Sequence, residues 1–68
     1  MKNKKNNHHL AIGLLKTYTK DLIPIIENNK FILKSKENIY LNEDDKNTLI
    51  NEYGWKIKSL KEFYYEIN

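Results

Sequence analysis

The chain has no cysteine and no arginine, one proline and two glycines in 68 residues. Each scarcity excludes something. Without cysteine there is no disulfide framework, no thiolate nucleophile and no cysteine-held metal. Two glycines, Gly13 and Gly54, are too few to build a loop that cradles phosphate. Without arginine the commonest bidentate reader of guanine is missing, although lysine, asparagine and glutamine also reach base edges. No apolar run approaches the roughly 18 residues that a membrane-spanning helix needs. The start MKNKKNNHHL is basic, but Gly13, Lys16 and Thr17 interrupt the apolar stretch behind it. That argues against a signal peptide, and a cytoplasmic protein is expected.

What is present is lysine, asparagine and isoleucine, a usage that suggests an A+T-rich genome such as that of a bacterium, phage or plasmid. All twelve basic residues are lysine, and the net charge is +3. The charge is uneven. Residues 1–20 carry five lysines and no acid, whereas residues 21–68 carry seven lysines against nine acids. Residues 1–8 therefore read as a disordered basic arm, and residues 9–68 as one domain. The arm is either a solvated tail or a segment that touches phosphates. A domain of this size buries only about 60% of its unfolded surface, so its core needs every apolar side chain or a partner.

From Leu10 to Ile26 the apolar residues keep a helical period. Ala11, Leu14, Leu15, Tyr18, Leu22, Ile25 and Ile26 share a face, with Lys16, Lys20 and Glu27 opposite. Pro24 then either bends this helix around the core or breaks it after a cap at Asp21. KFILKSKENIYLN alternates on both sides of a turn-forming SKEN, which predicts a hairpin over 30–34 and 38–42. Phe31, Leu33, Ile39 and Leu41 then face the first helix, and Ile32 and Tyr40 face away. Asn42 suits the N-cap of a helix opened by Glu43, Asp44 and Asp45 and closed at Gly54. WKIKS predicts a short strand. The Ser59–Glu62 capping box predicts a last helix whose Leu60, Phe63, Tyr64 and Ile67 share one face, with Tyr65 outside it.

The expected fold is a small α+β domain in the order α-β-β-α-β-α, with a three-stranded sheet packed on the N-terminal helix. The second strand, helix and third strand can form a right-handed parallel crossover. The rival is a helix-turn-helix over 43–67, in which Lys56, Lys58 and Lys61 lie near DNA. The capping box starts the last helix late for that motif, leaving about five residues where three or four are usual.

Catalytic and metal readings find little support. His8 and His9 are adjacent and lack a third ligand nearby. Asp44 and Asp45 are better explained as helix-start charges than as paired acid–base groups. No cofactor or metal is expected, and no enzymatic activity. Eight aromatics exceed what a small core needs. Ile32, Lys34, Tyr40, Trp55 and Tyr65 are the candidate partner-binding residues of a non-catalytic accessory or regulatory protein, an inhibitor or modulator of phage or plasmid character. Its expected partner is a protein, with no membrane involved. The alternative is a DNA-binding regulator, as a homodimer, that uses Lys2, Lys4 and Lys5 of the arm with Lys56, Lys58 and Lys61.

Overall fold

The computed structural model describes residues 7–67; the arm lysines Lys2, Lys4 and Lys5 lie outside them. The elements are α1 (His8–Lys16), β1 (Leu22–Glu27), β2 (Lys30–Ser35), α2 (Glu43–Asn47) continued by a π-helical turn (Thr48–Glu52), β3 (Lys56–Ser59) and β4 (Glu62–Glu66). All four strands pair antiparallel, in the spatial order β1-β2-β4-β3. The protein is a small α+β domain whose N-terminal helix packs on this sheet.

The predicted first helix is only half right. Thr17 Oγ1 donates to the Leu14 carbonyl at 2.6 Å, and Thr19 Oγ1 accepts from the Asp21 amide at 3.1 Å. These local bonds compete with the helical ladder and end α1 at Lys16. The next six residues, LIPIIE, form β1 instead of a second helical half, as three isoleucines favour. Asn28 and Asn29 both take positive φ, 53° and 61°. They make the two-residue turn that joins β1 to β2, with the twist that hairpins prefer. Lys36 N–H donates to the Asp21 carbonyl at 3.4 Å. Carried along the register, this makes Ile23, Ile25 and Glu27 the residues bonded to β2, and turns Leu22, Pro24 and Ile26 to the free edge. Pro24 therefore costs no ladder bond and deprives the edge of a donor.

The predicted hairpin over 30–34 and 38–42 is also corrected. Lys30–Ser35 is a strand, but its partners are β1 and β4, and residues 36–42 form a loop. Ser35 holds that loop, since its Oγ bonds both the amide and the carbonyl of Glu37. Asn42 is the N-cap of α2, accepting from the Asp45 amide at 2.7 Å. Gly54 follows the π-helical turn at φ 74°, and Trp55 N–H closes that turn onto the Leu49 carbonyl at 3.0 Å.

Residues 56–59 are extended as predicted, but the segment after them is a strand, not a helix. The Ser59 hydroxyl accepts from the Lys61 amide at 3.1 Å, two residues on, and so serves the β3–β4 turn. Glu62 is drawn away from any capping role by Lys34 and Lys58, at 3.4 and 3.6 Å. The sheet thus has four strands instead of three and no parallel crossover. The segment 56–66 is a bulged hairpin, so no helix-turn-helix forms over 43–67.

The core comprises Ala11, Leu15, Leu33, Ile39, Leu49, Trp55 and Phe63, each at most 3% exposed. Every strand residue that joins or borders it, namely Leu22, Phe31, Leu33, Ile57, Phe63 and Tyr65, lies on one face of the sheet by register. α1 and the π-helical turn pack on that inner face. The molecule is 17 Å through its thinnest direction, enough for one helical layer on a sheet and not for a second.

Candidate functional site

The uncovered outer face follows from the period of two along each strand. Paired residues share a face, so one row crosses the sheet as Ile25, Ile32, Tyr64 and Lys56. A second row is Ile23, Lys34 and Glu62, and a third is Glu27, Lys30 and Glu66. Ile25, Ile32 and Tyr64 are absent from the side chains that touch the core. Each is half-buried among its neighbours on the sheet surface, and none packs against the helical layer.

Charge surrounds that apolar row. Lys34 lies 3.4 Å from one Glu62 oxygen, and Lys58 lies 3.6 Å from the other. Lys56 lies 3.6 Å from Glu66. The Lys30 ammonium stands 5.9 Å from the centre of the Tyr64 ring, over its face. Glu27, Lys30, Lys34, Lys58 and Glu62 wall a shallow concavity of ≈ 390 Å³ that Ile32 and Tyr64 also line. Exposed pairs of this kind contribute little to stability, roughly 0–1 kcal/mol each. Their effect is to neutralise the lysines locally and to fix where charge of each sign stands.

The candidate residues separate. Ile32 and Lys34 lie on the outer face. Tyr40 is 70% exposed, but it belongs to the loop before α2, where its hydroxyl accepts from the Asn38 amide group at 3.2 Å. Trp55 is 1% exposed and Tyr65 is half-buried on the inner face, so neither is the exposed aromatic that was expected. Tyr65 stacks on His8, with ring centroids 3.5 Å apart and planes 10° apart. His8 Nδ1 accepts from Trp55 Nε1–H at 3.0 Å. Burial holds the His8 imidazole below its ordinary pKa, and the accepted bond likewise needs an unprotonated Nδ1. The histidine thus caps the aromatic end of the core. Among the described residues no group of three or more His, Asp or Glu side chains is placed to hold a metal.

Tyr64, Ile25 and Lys30 went unrecognised in the sequence. A helical period put Tyr64 in the core, but the same five letters EFYYE also read with period two. That reading sets Glu62, Tyr64 and Glu66 on one side and Phe63 and Tyr65 on the other. Of the nucleic-acid set, Lys56 and Lys58 stand on the outer face beside Glu66 and Glu62, and Lys61 is exposed in the β3–β4 turn. No helix among the described residues is long and apolar enough to cross a membrane. The chain matches no protein-family model, no curated protein and no solved structure.

Proposed function

We propose that this is a non-catalytic binding protein that docks on another protein through the outer face of its sheet. The observation that carries the reading is the half-buried row Ile25, Ile32 and Tyr64 across β1, β2 and β4, on the sheet face opposite the described helices. A small domain that leaves a sheet face uncovered forgoes burial worth about 25 cal/mol per Å² of apolar surface. A partner laid on that face recovers it. An apolar centre with a charged rim is the anatomy of a protein interface.

Mixed charge supports a protein partner over a nucleic acid. A phosphate backbone is met by lysines able to replace its counterions. Here Lys34, Lys56 and Lys58 stand within 3.6 Å of glutamates, which oppose a polyanion. The test is capture from the source cell by tagged wild type, Ile32→Ser and Tyr64→Ala, each with and without nuclease. The expected result is capture that survives nuclease and is lost, at least tenfold, in both variants while their folds persist. Capture abolished by nuclease, or unchanged in both variants, overturns the reading.

A further inference from the structure

The charges of the outer face lie in stripes, one sign to a strand. β2 presents Lys30 and Lys34, and its neighbour β4 presents Glu62 and Glu66. Within each strand the two like charges flank one apolar residue, Ile32 in β2 and Tyr64 in β4. The register sets Lys30 level with Glu66, Ile32 with Tyr64 and Lys34 with Glu62. The charge pattern is antisymmetric about the line between the two strands, because reflection across it exchanges plus for minus at both charged levels and sets Ile32 against Tyr64 at the middle one.

We propose that the protein which this face accepts is a second copy of the chain, laid sheet against sheet about a two-fold axis parallel to the strands and midway between β2 and β4. That rotation keeps height along the strands and swaps left for right. It sets Lys30 of each copy over the partner copy's Glu66 and each Lys34 over its Glu62. Each Ile32 then meets the other Tyr64. The apolar Ile23 and Ile25 of β1 fall opposite the β3 stripe, where the long stems of Lys56 and Lys58 can cover them. The perpendicular two-fold axis in the same plane instead sets β2 over β2 and brings lysine onto lysine, which is repulsive. Packed sheets rotate by about 30° through their own twist. That displaces the corner pairs by a few Å, within the reach of lysine and glutamate.

The size of the face fits a reversible dimer. Four strands at about 4.8 Å spacing and five residues at about 3.3 Å give a face of roughly 19 by 17 Å. That is about 320 Å² in plan for each copy and about 650 Å² for the two, below the roughly 1,200 Å² at which stable specific complexes begin, so the dimer is expected to be weak. Association is therefore expected to depend on concentration and, because its rim is ionic, to weaken as salt rises.

The inference rests on the docking reading above, and charge exchange tests it separately. Lys30→Glu with Lys34→Glu makes both central stripes negative, and Glu62→Lys with Glu66→Lys makes both positive. By sedimentation across a concentration series, each double variant should be monomeric where wild type is dimeric. An equimolar mixture of the two should recover a dimer, since each stripe again meets its opposite. The quadruple variant exchanges the stripes and keeps every pair across β2 and β4. It should dimerise like wild type, and it serves as the arm that stands if the doubles do not fold. Wild type that stays monomeric at high protein concentration and low salt overturns the second copy. So does a quadruple variant that is folded but monomeric. If capture of a different cellular protein nevertheless needs Ile32 and Tyr64, the docking reading survives and only its occupant is wrong.

Discussion

Phe63 and Tyr64 are neighbours in β4 and differ in composition by one hydroxyl. Phe63 is 1% exposed within the core, and Tyr64 lies across the sheet from it among lysines and glutamates. The inner face has α1 and the π-helical turn above it, and among the described residues no helix covers the outer face. Hydrophobicity of the residue does not decide which side is buried, since Ile25 and Ile32 are as apolar as Leu33. What decides is where the rest of the chain can reach. β1 makes the same point within one face. Ile26 has inner parity, yet it is 72% exposed, because the helical layer reaches no farther across the sheet than β2 at that end. Burial in so small a domain is rationed by the length of chain left over to cover the sheet.

The sharpest test of this division is a pair of truncations one residue apart. Phe63→Ala leaves a cavity beside Leu33 and Trp55 and should cost about 3–5 kcal/mol. That is comparable with the whole stability expected of a domain this small, so the variant should be largely unfolded at 37 °C. Tyr64→Ala removes surface that touches only its own face and should cost under about 1 kcal/mol. Urea midpoints read by tryptophan fluorescence compare the two. Similar losses would erase the distinction between the faces.

Much of the inner face was legible in the sequence. Periodicity places Ala11, Leu15, Leu33, Ile39 and Phe63 on packed faces, and residue type places the Asn42 cap and the Gly54 turn. The errors share one physical cause. LLKTYTKDLIPII and SLKEFYYEI each carry a helical and an extended reading at once, and single-residue patterns do not choose between them. Tertiary pairing chooses. β1 has β2 to bond through the Asn28–Asn29 turn, and β4 has both β2 and β3. Two asparagines between apolar runs were the available sign of that hairpin, since asparagine is among the few residues that accept positive φ at low cost. The outer face could not be read while Tyr64 was assigned to a helix stripe and Trp55 to the surface. Nothing in the letters alone says that an indole at the start of a strand will find a histidine 47 positions earlier.

That histidine gives a smaller effect, confined to the inner face. His8 accepts from Trp55 and stacks on Tyr65, the ionisable neighbour that β4 sets against it; Trp55 carries no titratable group. Burial lowers its pKa, so the unfolded chain binds more protons than the folded one around its ordinary value of about 6.5. The stabilisation is therefore complete above about pH 6.5 and is lost as pH falls through the folded value. Wild-type urea midpoints should decline between pH 7 and 5, ahead of carboxylate titration. His8→Gln offers an uncharged side chain in place of the imidazole and should flatten the decline, whereas His9→Gln, altering an exposed neighbour, should not. A decline that persists unchanged in His8→Gln removes the proposed cause.

The smallest expected effect concerns how the helical layer is held to the inner face. The Tyr18 hydroxyl donates to Asp45 at 2.5 Å and accepts from the Asn42 amide at 3.3 Å, tying the end of α1 to the start of α2. If burial of Leu15, Leu49 and Trp55 holds that layer, this polar tie is secondary. Tyr18→Phe should then cost only about 1 kcal/mol, the usual worth of such a bond. The bond to Asp45, helped by burial, raises the Tyr18 pKa above its ordinary value of 10. Its contribution is accordingly present below pH 10 and is lost as pH rises through the raised value. Wild type and Tyr18→Phe should differ at pH 8 and converge at strongly alkaline pH. A loss as large as that of Phe63→Ala would instead make the polar tie the main fastening of the covered face, and would move the origin of the asymmetry from apolar burial to a single phenol.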